Sequence, residues 1–563
     1  MMFKKPFFLA LYLNIFFFLL YFVFGQVRHG SLDDYFMSSV LTGAYGGEYD
    51  VHMYFVNVAY GYFLKPFYWL FPKVGWYFIF ELLGTFSAFT VYTYILIQKM
   101  GCRYGMPLAL LLLASFAPDF YFQISFTQCA ASYTAAGILL VYESLMKKSK
   151  RMLALAGVAL LAGSVMRWEG FLLGMPYLCF LLLLVWYGKR NLEKKTIVAL
   201  ALIFVAIAGL HFYDKNLYVE GDYKYYAEYQ PVRAFFGDGE FYDRESTYDE
   251  LEERGLSGVD FYMLKAWDFY DTEVFSIDSL KPIVQVAQNN LYFPNVMRLP
   301  ISFFLVVSKA LTRCSGWCWA IFCLVLMLTM SKRANLYPWV SLVFIAASIG
   351  YLLLVNRLVY HVESGVWLYA NVCGIAFMSW NNFPLNLVIR KCERIIPIVL
   401  FMLAGFFSYF AIAEQPKAKT KWYLIETSRP TIDWQSFLDY AHVHLDDVFI
   451  LSFDRYKSLG TVHNPPYLAI EPGSWNNIFS LGYWNIYLPA MKAELKKRGV
   501  TNPMKDIVHD NVYLLEDNNQ PSLSEFYERH YHERLSVDTV KTFGNLMLLK
   551  YRFANIPAEN GDE

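Results

Sequence analysis

Long apolar runs, separated by short polar stretches, recur along most of the chain. A helix that crosses a membrane needs about 20 mostly apolar residues. The pattern predicts eleven such helices, at residues 6–25, 76–98, 106–124, 128–146, 152–168, 170–187, 195–213, 314–331, 338–356, 364–382 and 394–413. The first run has no small-residue cleavage site, so we interpret it as a retained span rather than a signal peptide.

Lysine and arginine collect at alternate ends of these spans. Basic clusters precede the first span and follow the second, fourth, sixth, eighth and tenth spans. If the spans alternate in direction, all the clusters lie on one side, which the positive-inside rule assigns to the cytoplasm. We therefore expect a multi-pass protein of the cell membrane with a cytoplasmic N-terminus and an extracytoplasmic C-terminal domain.

Three longer segments then face outward, at residues 26–75, 214–313 and 414–563. In the first outer segment, two amphipathic stretches at 33–42 and 49–71 predict helices that lie along the membrane surface. The second outer segment is acidic: residues 214–300 carry 8 Lys and Arg against 17 Asp and Glu. Carboxylate oxygens are the ligands that Mg²⁺ and Mn²⁺ prefer. A divalent cation is therefore a candidate cofactor, although the sequence makes no cofactor certain.

Acidic residues in the second outer segment include Asp260, Asp268 and Asp271. We interpret these three as solvated carboxylates; a metal site is the alternative.

The third outer segment alternates between strand-like and helix-like patterns and predicts a small α/β domain. Strands are expected at residues 448–453, 467–470, 512–516, 536–543 and 546–552, and helices at 433–444, 488–499 and 522–531. The predicted fold class is an all-α polytopic membrane protein of about eleven transmembrane helices with a C-terminal extracytoplasmic α/β domain. The two units are a membrane module, residues 1–413, and the outer domain, residues 414–563.

Composition narrows the class of protein further. Hydrophobic residues make up 56% of the chain and charged residues only 17%, with a mean hydropathy of +0.31. These values exclude a disordered chain, a coiled coil and a cytosolic enzyme of usual composition. The 48 basic and 48 acidic residues balance, so no nucleic-acid partner is expected. All eight cysteines lie in or beside apolar runs, which predicts no disulfide framework.

Two adjacent carboxylates, Asp33 and Asp34, follow the end of the first span by about eight residues. A carboxylate at a membrane boundary is costly unless it is hydrated or paired. Partial desolvation raises its pKa and suits it to act as a general base. The alternative is that one of the two caps the helix that begins there.

Candidate substrate-binding residues lie at the outer ends of later spans. Arg298, Arg313 and Arg357 are cations that bind a lipid phosphate or, alternatively, anchor their helices at the membrane surface. Arg167 and Glu169, in the hairpin between the fifth and sixth spans, either pair with each other or line a polar cavity.

His361 and His52 complete the candidate set. His361 lies close to Arg357 in the sequence, and His52 belongs to the first outer segment. Each is a candidate to polarise a substrate, and the alternative for each is a purely structural histidine.

Several features together resemble the GT-C superfamily of membrane glycosyltransferases. They are the SLDDYF sequence after the first span, the amphipathic outer helices, the many spans, the outer domain, and a basic helix that ends residues 214–313 and carries Arg298, Lys309 and Arg313. The resemblance covers the architecture of residues 1–413. It implies that an acidic residue of the first outer loop, here Asp33, is the catalytic base. It also implies that a polyprenyl-phosphate sugar is the donor, that a glycan, lipid or protein is the acceptor, and that membrane lipids surround the protein.

Two departures limit what the resemblance implies. Protein mannosyltransferases of this superfamily usually have Asp-Glu where this chain has Asp33-Asp34. Oligosaccharyltransferases carry a WWD signature in the outer domain, where this chain has GSWNN, residues 473–477, and GYWN, residues 482–485. Transfer of a whole oligosaccharide to asparagine is therefore not expected.

Two other classes of function stay open at this point. A polysaccharide polymerase or O-antigen-ligase-like enzyme also uses lipid-linked donors, and residues 214–313 are compatible with the large later outer loop of such enzymes. A transporter or flippase is less favoured. Transporters often have internal repeats and charges in mid-membrane, whereas most charges here lie at span ends.

Overall fold

The computed structural model describes most of the chain. The described residues are 4–24, 28–189, 193–238, 249, 252–253, 255–289, 299–328, 331–355, 357–379, 395–418, 431–462, 466–516 and 521–554. Over these residues the protein is mostly helical, with one small mixed sheet near the C-terminus.

Helices dominate residues 4–418. They are α1 (Lys4–Phe24), α2 (Leu32–Leu41), α3 (Val58–Leu70), α4 (Trp76–Tyr121), α5 (Phe126–Lys147), α6 (Lys150–Met166), α7 (Trp168–Lys189), α8 (Lys194–Asn216), α9 (Tyr223–Asp238), α10 (Gly258–Ala266), α11 (Ile277–Asn289), α12 (Leu299–Thr312), α13 (Ser315–Met327), α14 (Lys332–Leu354), α15 (Tyr360–Gly374) and α16 (Ile395–Ala418). A 3₁₀ turn, Ile375–Phe377, follows α15.

A helix lies at each of the eleven positions that hydropathy predicts, but not all of these helices are long enough to cross a membrane alone. Within the described ranges, six helices are long and apolar enough to span a membrane: α1, α4, α5, α7, α8 and α14. The helices α12 and α13, which meet at an angle of 84°, are together long and apolar enough to form one further span. Counting this bent pair, the described residues contain seven candidate spans. The helices α6, α13 and α15 are shorter, with 17, 13 and 15 residues.

The predicted second and third spans form one element, because α4 runs without a loop from Trp76 to Tyr121. Gly101 interrupts it with φ of 71° and ψ of 167°, so the chain turns there without a separate connecting segment. A side chain is disfavoured at such a positive φ, whereas glycine adopts it at little cost.

Several of the predicted basic clusters meet at one end of the helices. Lys99 and Lys147 both pair with the buried Glu143, at 2.7 and 2.8 Å. Lys148 lies 3.6 Å from Glu193 at the start of α8. The kink of α4 at Gly101, the end of α5 and the start of α8 therefore lie close together at one end of the helices.

The outer domain contains a five-stranded sheet. Its strands are β3 (Val448–Leu451), β4 (Ile478–Ser480), β5 (Val512–Glu516), β6 (Leu535–Phe543) and β7 (Leu546–Phe553), in the order β4-β3-β5-β7-β6. Strand β3 is parallel to β4 and β5, whereas β7 is antiparallel to β5 and β6. Its helices are α17 (Thr431–Val443), α18 (Phe453–Val462), α19 (Pro489–Lys497) and α20 (Pro521–Tyr531), with a 3₁₀ turn at Lys505–Val508.

The predicted strand at 467–470 is wrong: only Leu468 pairs, in an isolated bridge with Val74. A second, two-stranded sheet joins the loop after α1 to the end of α4. It consists of β1 (Arg28–His29), parallel to β2 (Gln123–Ile124).

The interpretation of Asp260, Asp268 and Asp271 as solvated carboxylates is wrong, because all three side chains are buried. Asp260 accepts a hydrogen bond from His530 at 2.7 Å. Asp271 accepts one from Tyr531 at 2.6 Å. Asp268 accepts one from the Phe453 amide. These carboxylates join the second outer segment to the outer domain.

Small residues allow the helices around α5 to approach closely, as is usual where helices pack inside membranes. α5 is almost wholly buried and contacts α4, α6, α7 and α15. On α6, a Cβ atom at Gly163 would overlap the Thr134 hydroxyl and lie 3.1 Å from the Ala130 carbonyl oxygen of α5.

We expect Gly163→Leu to separate α5 from α6 and to destabilise the purified protein by about 1–3 kcal/mol, the usual cost of overpacking. The measurement is the Tm in detergent. The matched control is Gly209→Leu on α8, where an added Cβ meets no atom within 4 Å. Equal Tm values for the two variants would contradict the packing described here.

Candidate active site

A cavity of about 1780 Å³ opens between the membrane helices and the outer domain. Six of the nine residues singled out from the sequence line it: Asp33, Arg167, Glu169, Arg313, Arg357 and His361. These residues are separated by up to about 330 positions in sequence, and the fold brings them to one space. The cavity is therefore the candidate active site.

The other three candidates lie elsewhere. Asp34 is fully buried and does not line the cavity. His52 stacks on Tyr223 with ring centroids 3.7 Å apart and bonds to Asp50 at 2.7 Å, outside the cavity lining. Arg298 lies outside the described residues.

The first turn of α2 separates the two adjacent carboxylates. Ser31 caps the helix by accepting a hydrogen bond from the Asp34 amide. Successive side chains on a helix point about 100° apart, since a turn contains 3.6 residues. Asp34 consequently points into the protein while the half-buried Asp33 faces the cavity.

Asp34 fixes this arrangement through the hydrogen bonds that its carboxylate accepts. Oδ1 accepts from the Tyr77 hydroxyl on α4 at 2.9 Å and from the Phe126 amide at the start of α5 at 3.0 Å. Oδ2 accepts from Ser31 at 2.7 Å. One buried side chain thus ties α2 to two membrane helices and sets the position of Asp33.

The outer domain closes the cavity above Asp33. Phe453 and Tyr483 follow the carboxyl ends of the parallel strands β3 and β4, and both line the cavity. The Tyr483 hydroxyl donates to Asp33 Oδ1 at 2.5 Å. Residues at the carboxyl ends of parallel strands commonly form binding sites because these ends meet at one edge.

A second part of the wall carries cations. Six basic side chains line the cavity: Arg167, Lys215, Arg233, Lys309, Arg313 and Arg357. Arg313 forms an ion pair with Glu363 at 3.3 Å, and its guanidinium lies 3.9 Å from the centre of the Tyr360 ring. Such contacts hold an arginine in one orientation, which favours recognition of a phosphate or carboxylate.

Arg167 is held by aromatic rings as well as by charge. Its Nε lies 3.6 Å from Glu169 Oε2, so the pairing expected from the sequence is present. Its guanidinium also lies 4.8 Å from the centre of the Phe126 ring. Arg167 and Glu169 therefore pair with each other and also line the polar cavity, as the two interpretations from the sequence proposed separately.

Sequence reasoning missed several residues of the site. Arg233 is buried, donates to Gln230 at 2.6 Å and stacks on Trp267 at 5.0 Å. The sequence also does not single out Tyr483, which lies in the GYWN segment where a WWD signature is absent. Neither residue belongs to a local pattern that would predict its place, because Arg233 meets the Trp267 ring and Tyr483 meets Asp33 only in the folded chain.

Within the ranges that the structure describes, no group of three or more His, Cys, Asp or Glu side chains could hold a metal ion. The four acidic residues that line the cavity are Asp33, Asp119, Glu169 and Asp214.

The chain matches no protein-family model, and no curated protein is significantly similar to it. The cavity and the residues that line it are therefore the guide to its function.

The buried Asp34 gives stability a definite pH dependence. Burial raises the pKa of Asp34 to about 7, despite the hydrogen bonds that it accepts. The folded protein then binds more protons than the unfolded chain between about pH 4 and pH 7, so stability falls as the pH rises through this window. Asp34→Asn removes the titration while keeping the shape of the side chain.

We expect the Tm of Asp34→Asn, relative to wild type, to rise between pH 5 and pH 8. The measurement is a series of thermal unfolding curves across that range. The control is Asp278→Asn, which changes an exposed carboxylate on α11. Parallel Tm curves for wild type and Asp34→Asn would contradict the assignment.

Proposed function

We propose that this protein is an integral-membrane glycosyltransferase that moves a sugar from a polyprenyl-phosphate donor to an acceptor on the outer face of the membrane. The observation that carries the proposal is that Asp33 and a set of cations line the same cavity. Glycosyl transfer from a lipid phosphate needs both groups: a base for the acceptor and positive charge for the leaving phosphate.

In the proposed reaction, an acceptor hydroxyl attacks the anomeric carbon of the donor sugar. Asp33 takes the hydroxyl proton as the new carbon–oxygen bond forms. The bond between the anomeric carbon and the phosphate oxygen breaks, and its electron pair leaves with the lipid phosphate. Arg313, Arg357 and Lys309 are the proposed binders of that phosphate, and Arg167 and His361 the proposed contacts of the sugars.

The membrane arrangement is part of the same proposal. From the distribution of lysine and arginine, we infer eleven spans, a cytoplasmic N-terminus and an outer domain on the extracytoplasmic side of the membrane. The meeting of Lys99, Lys147 and Lys148 at one end of the helices supports this orientation. In it, the cavity opens toward the outer leaflet, where a polyprenyl-phosphate sugar is accessible.

An apolar groove supports a lipid-linked donor. The groove has a volume of about 500 Å³ and lies between α12 and α14, lined by Leu299, Pro300, Phe303, Phe304, Val307, Gly350, Leu353 and Leu354. The same two helices carry Lys309 and Leu352 into the cavity. A donor whose phosphate binds near Lys309 would leave its isoprenoid chain in this groove, since apolar chains gain free energy by burial.

The decisive experiment compares sugar transfer by wild type and Asp33→Asn over a panel of radiolabelled polyprenyl-phosphate sugars, with and without EDTA. A general base contributes roughly 10²–10⁴-fold to a rate. We therefore expect kcat to fall by at least about 100-fold while the donor still binds.

The matched control is Asp278→Asn, which replaces an exposed carboxylate outside the cavity and should keep wild-type turnover. Normal transfer by Asp33→Asn would refute the assigned base. A product that is a lengthened repeat polymer would point to a polymerase, and solute uptake by liposomes without any transfer would point to a transporter. Loss of turnover in EDTA would add a metal.

The groove makes a separate prediction. Gly350→Phe fills open space, because a Cβ atom there meets nothing within 4 Å. We expect the KM for a long polyprenyl donor to rise about tenfold, the equivalent of about 1.4 kcal/mol of lost apolar contact, and the KM for a short-chain donor to stay unchanged. The control is Gly405→Phe, at another open position on α16. A similar rise for both donors would rule out this groove.

A further inference from the structure

The loop after β4, residues 481–485, which we call the tyrosine loop, is fixed by the second outer segment. The Leu481 carbonyl accepts a hydrogen bond from the Phe269 amide at 2.8 Å. Near the other end of the loop, Gln230 Nε2 donates to the Trp484 carbonyl at 2.5 Å. Two separate parts of the second outer segment therefore hold the tyrosine loop in place.

Close packing of the tyrosine loop also constrains its backbone. A Cβ atom at Gly482 would overlap the carbonyl oxygen of Trp267, so only glycine fits there. The next residue, Tyr483, has φ of 134°, which non-glycine residues rarely adopt. Strained backbone persists only where the surroundings enforce it, and it concentrates at functional sites.

This enforced conformation directs the Tyr483 side chain at Asp33. The hydroxyl donates to Asp33 Oδ1 at 2.5 Å. The ring is buried between Phe36 of α2 and Phe453 of the outer domain, with centroids 5.2 and 5.3 Å away. Burial and the neighbouring Asp33 charge raise the pKa of the Tyr483 hydroxyl, so it stays protonated and serves as a donor.

We propose that Tyr483 is a positioning residue for Asp33, with the outer domain supplying a fixed hydroxyl that orients the catalytic carboxylate and stabilises its charged form. This inference rests on the proposed function, because it assigns a partner to the proposed base. A hydrogen bond donated to a carboxylate favours the ionised state. Tyr483 would thus hold the carboxylate in the geometry for proton transfer and keep it ionised to a lower pH.

The test is Tyr483→Phe in the full-length protein, which removes the hydroxyl and keeps the ring. We expect kcat to fall with little change in the KM for the donor. The acid limb of the pH profile should move up by about one pH unit, a tenfold change in proton affinity. A merely structural role for the hydroxyl would not shift this limb.

A second readout does not depend on turnover. Carbodiimides modify protonated carboxyl groups, so labelling of Asp33 followed by mass spectrometry over a pH series gives the midpoint of its titration. This midpoint should also rise by about one pH unit in Tyr483→Phe. The matched control is Tyr527→Phe, which removes the hydroxyl of a buried tyrosine of the same domain that donates to the Lys505 carbonyl at 3.1 Å. It should leave the Asp33 midpoint unchanged.

An unchanged midpoint in folded Tyr483→Phe, or equal shifts in the two variants, would overturn the inference. If wild type transfers no sugar from any donor, the proposed function fails, while the labelling midpoint still decides the role of Tyr483. If Asp33 is not labelled at any pH while the exposed Asp278 is, Asp33 does not face the cavity and the inference falls with that placement.

Discussion

The buried carboxylate of Asp34 is the constraint on which the site depends. It accepts hydrogen bonds from α4, from the first residue of α5 and from the cap of its own helix. A buried carboxylate without such partners would be strongly destabilising, so the three elements are held in one arrangement. Because α2 is fixed in this way, its neighbour Asp33 reaches the cavity.

Carboxylates also organise the outer parts of the molecule. The acidic second outer segment has the composition of a solvated loop, yet Asp260, Asp268 and Asp271 lie inside and bind the outer domain. Each of these buried carboxylates accepts at least one hydrogen bond from a residue beyond position 450. Some of the acidic side chains of this segment therefore lie inside the protein and bind the outer domain, rather than forming an exposed acidic surface.

Hydropathy predicts where helices occur because burial in a membrane imposes length and apolarity on each segment separately. It does not predict that two spans join at Gly101 into one kinked helix. Nor does it predict that residues 467–470 form only a single bridge, whereas the three residues of β4 form a strand. In the candidate site, too, local features were predicted and long-range contacts were not. Asp33 was found from its place after a span, whereas Tyr483 was missed because it meets Asp33 across 450 positions.

This separation has a consequence for how the protein is made. Ribosomes add about 5–20 residues per second, so Asp33 precedes Tyr483 by roughly 20–90 s during synthesis. During that interval the early helices can enter the membrane while Asp33 still lacks the hydrogen bond from Tyr483. A nascent chain is thus without a complete cavity until its last quarter has emerged and folded, so a molecule that binds there meets the whole site only when synthesis is nearly finished.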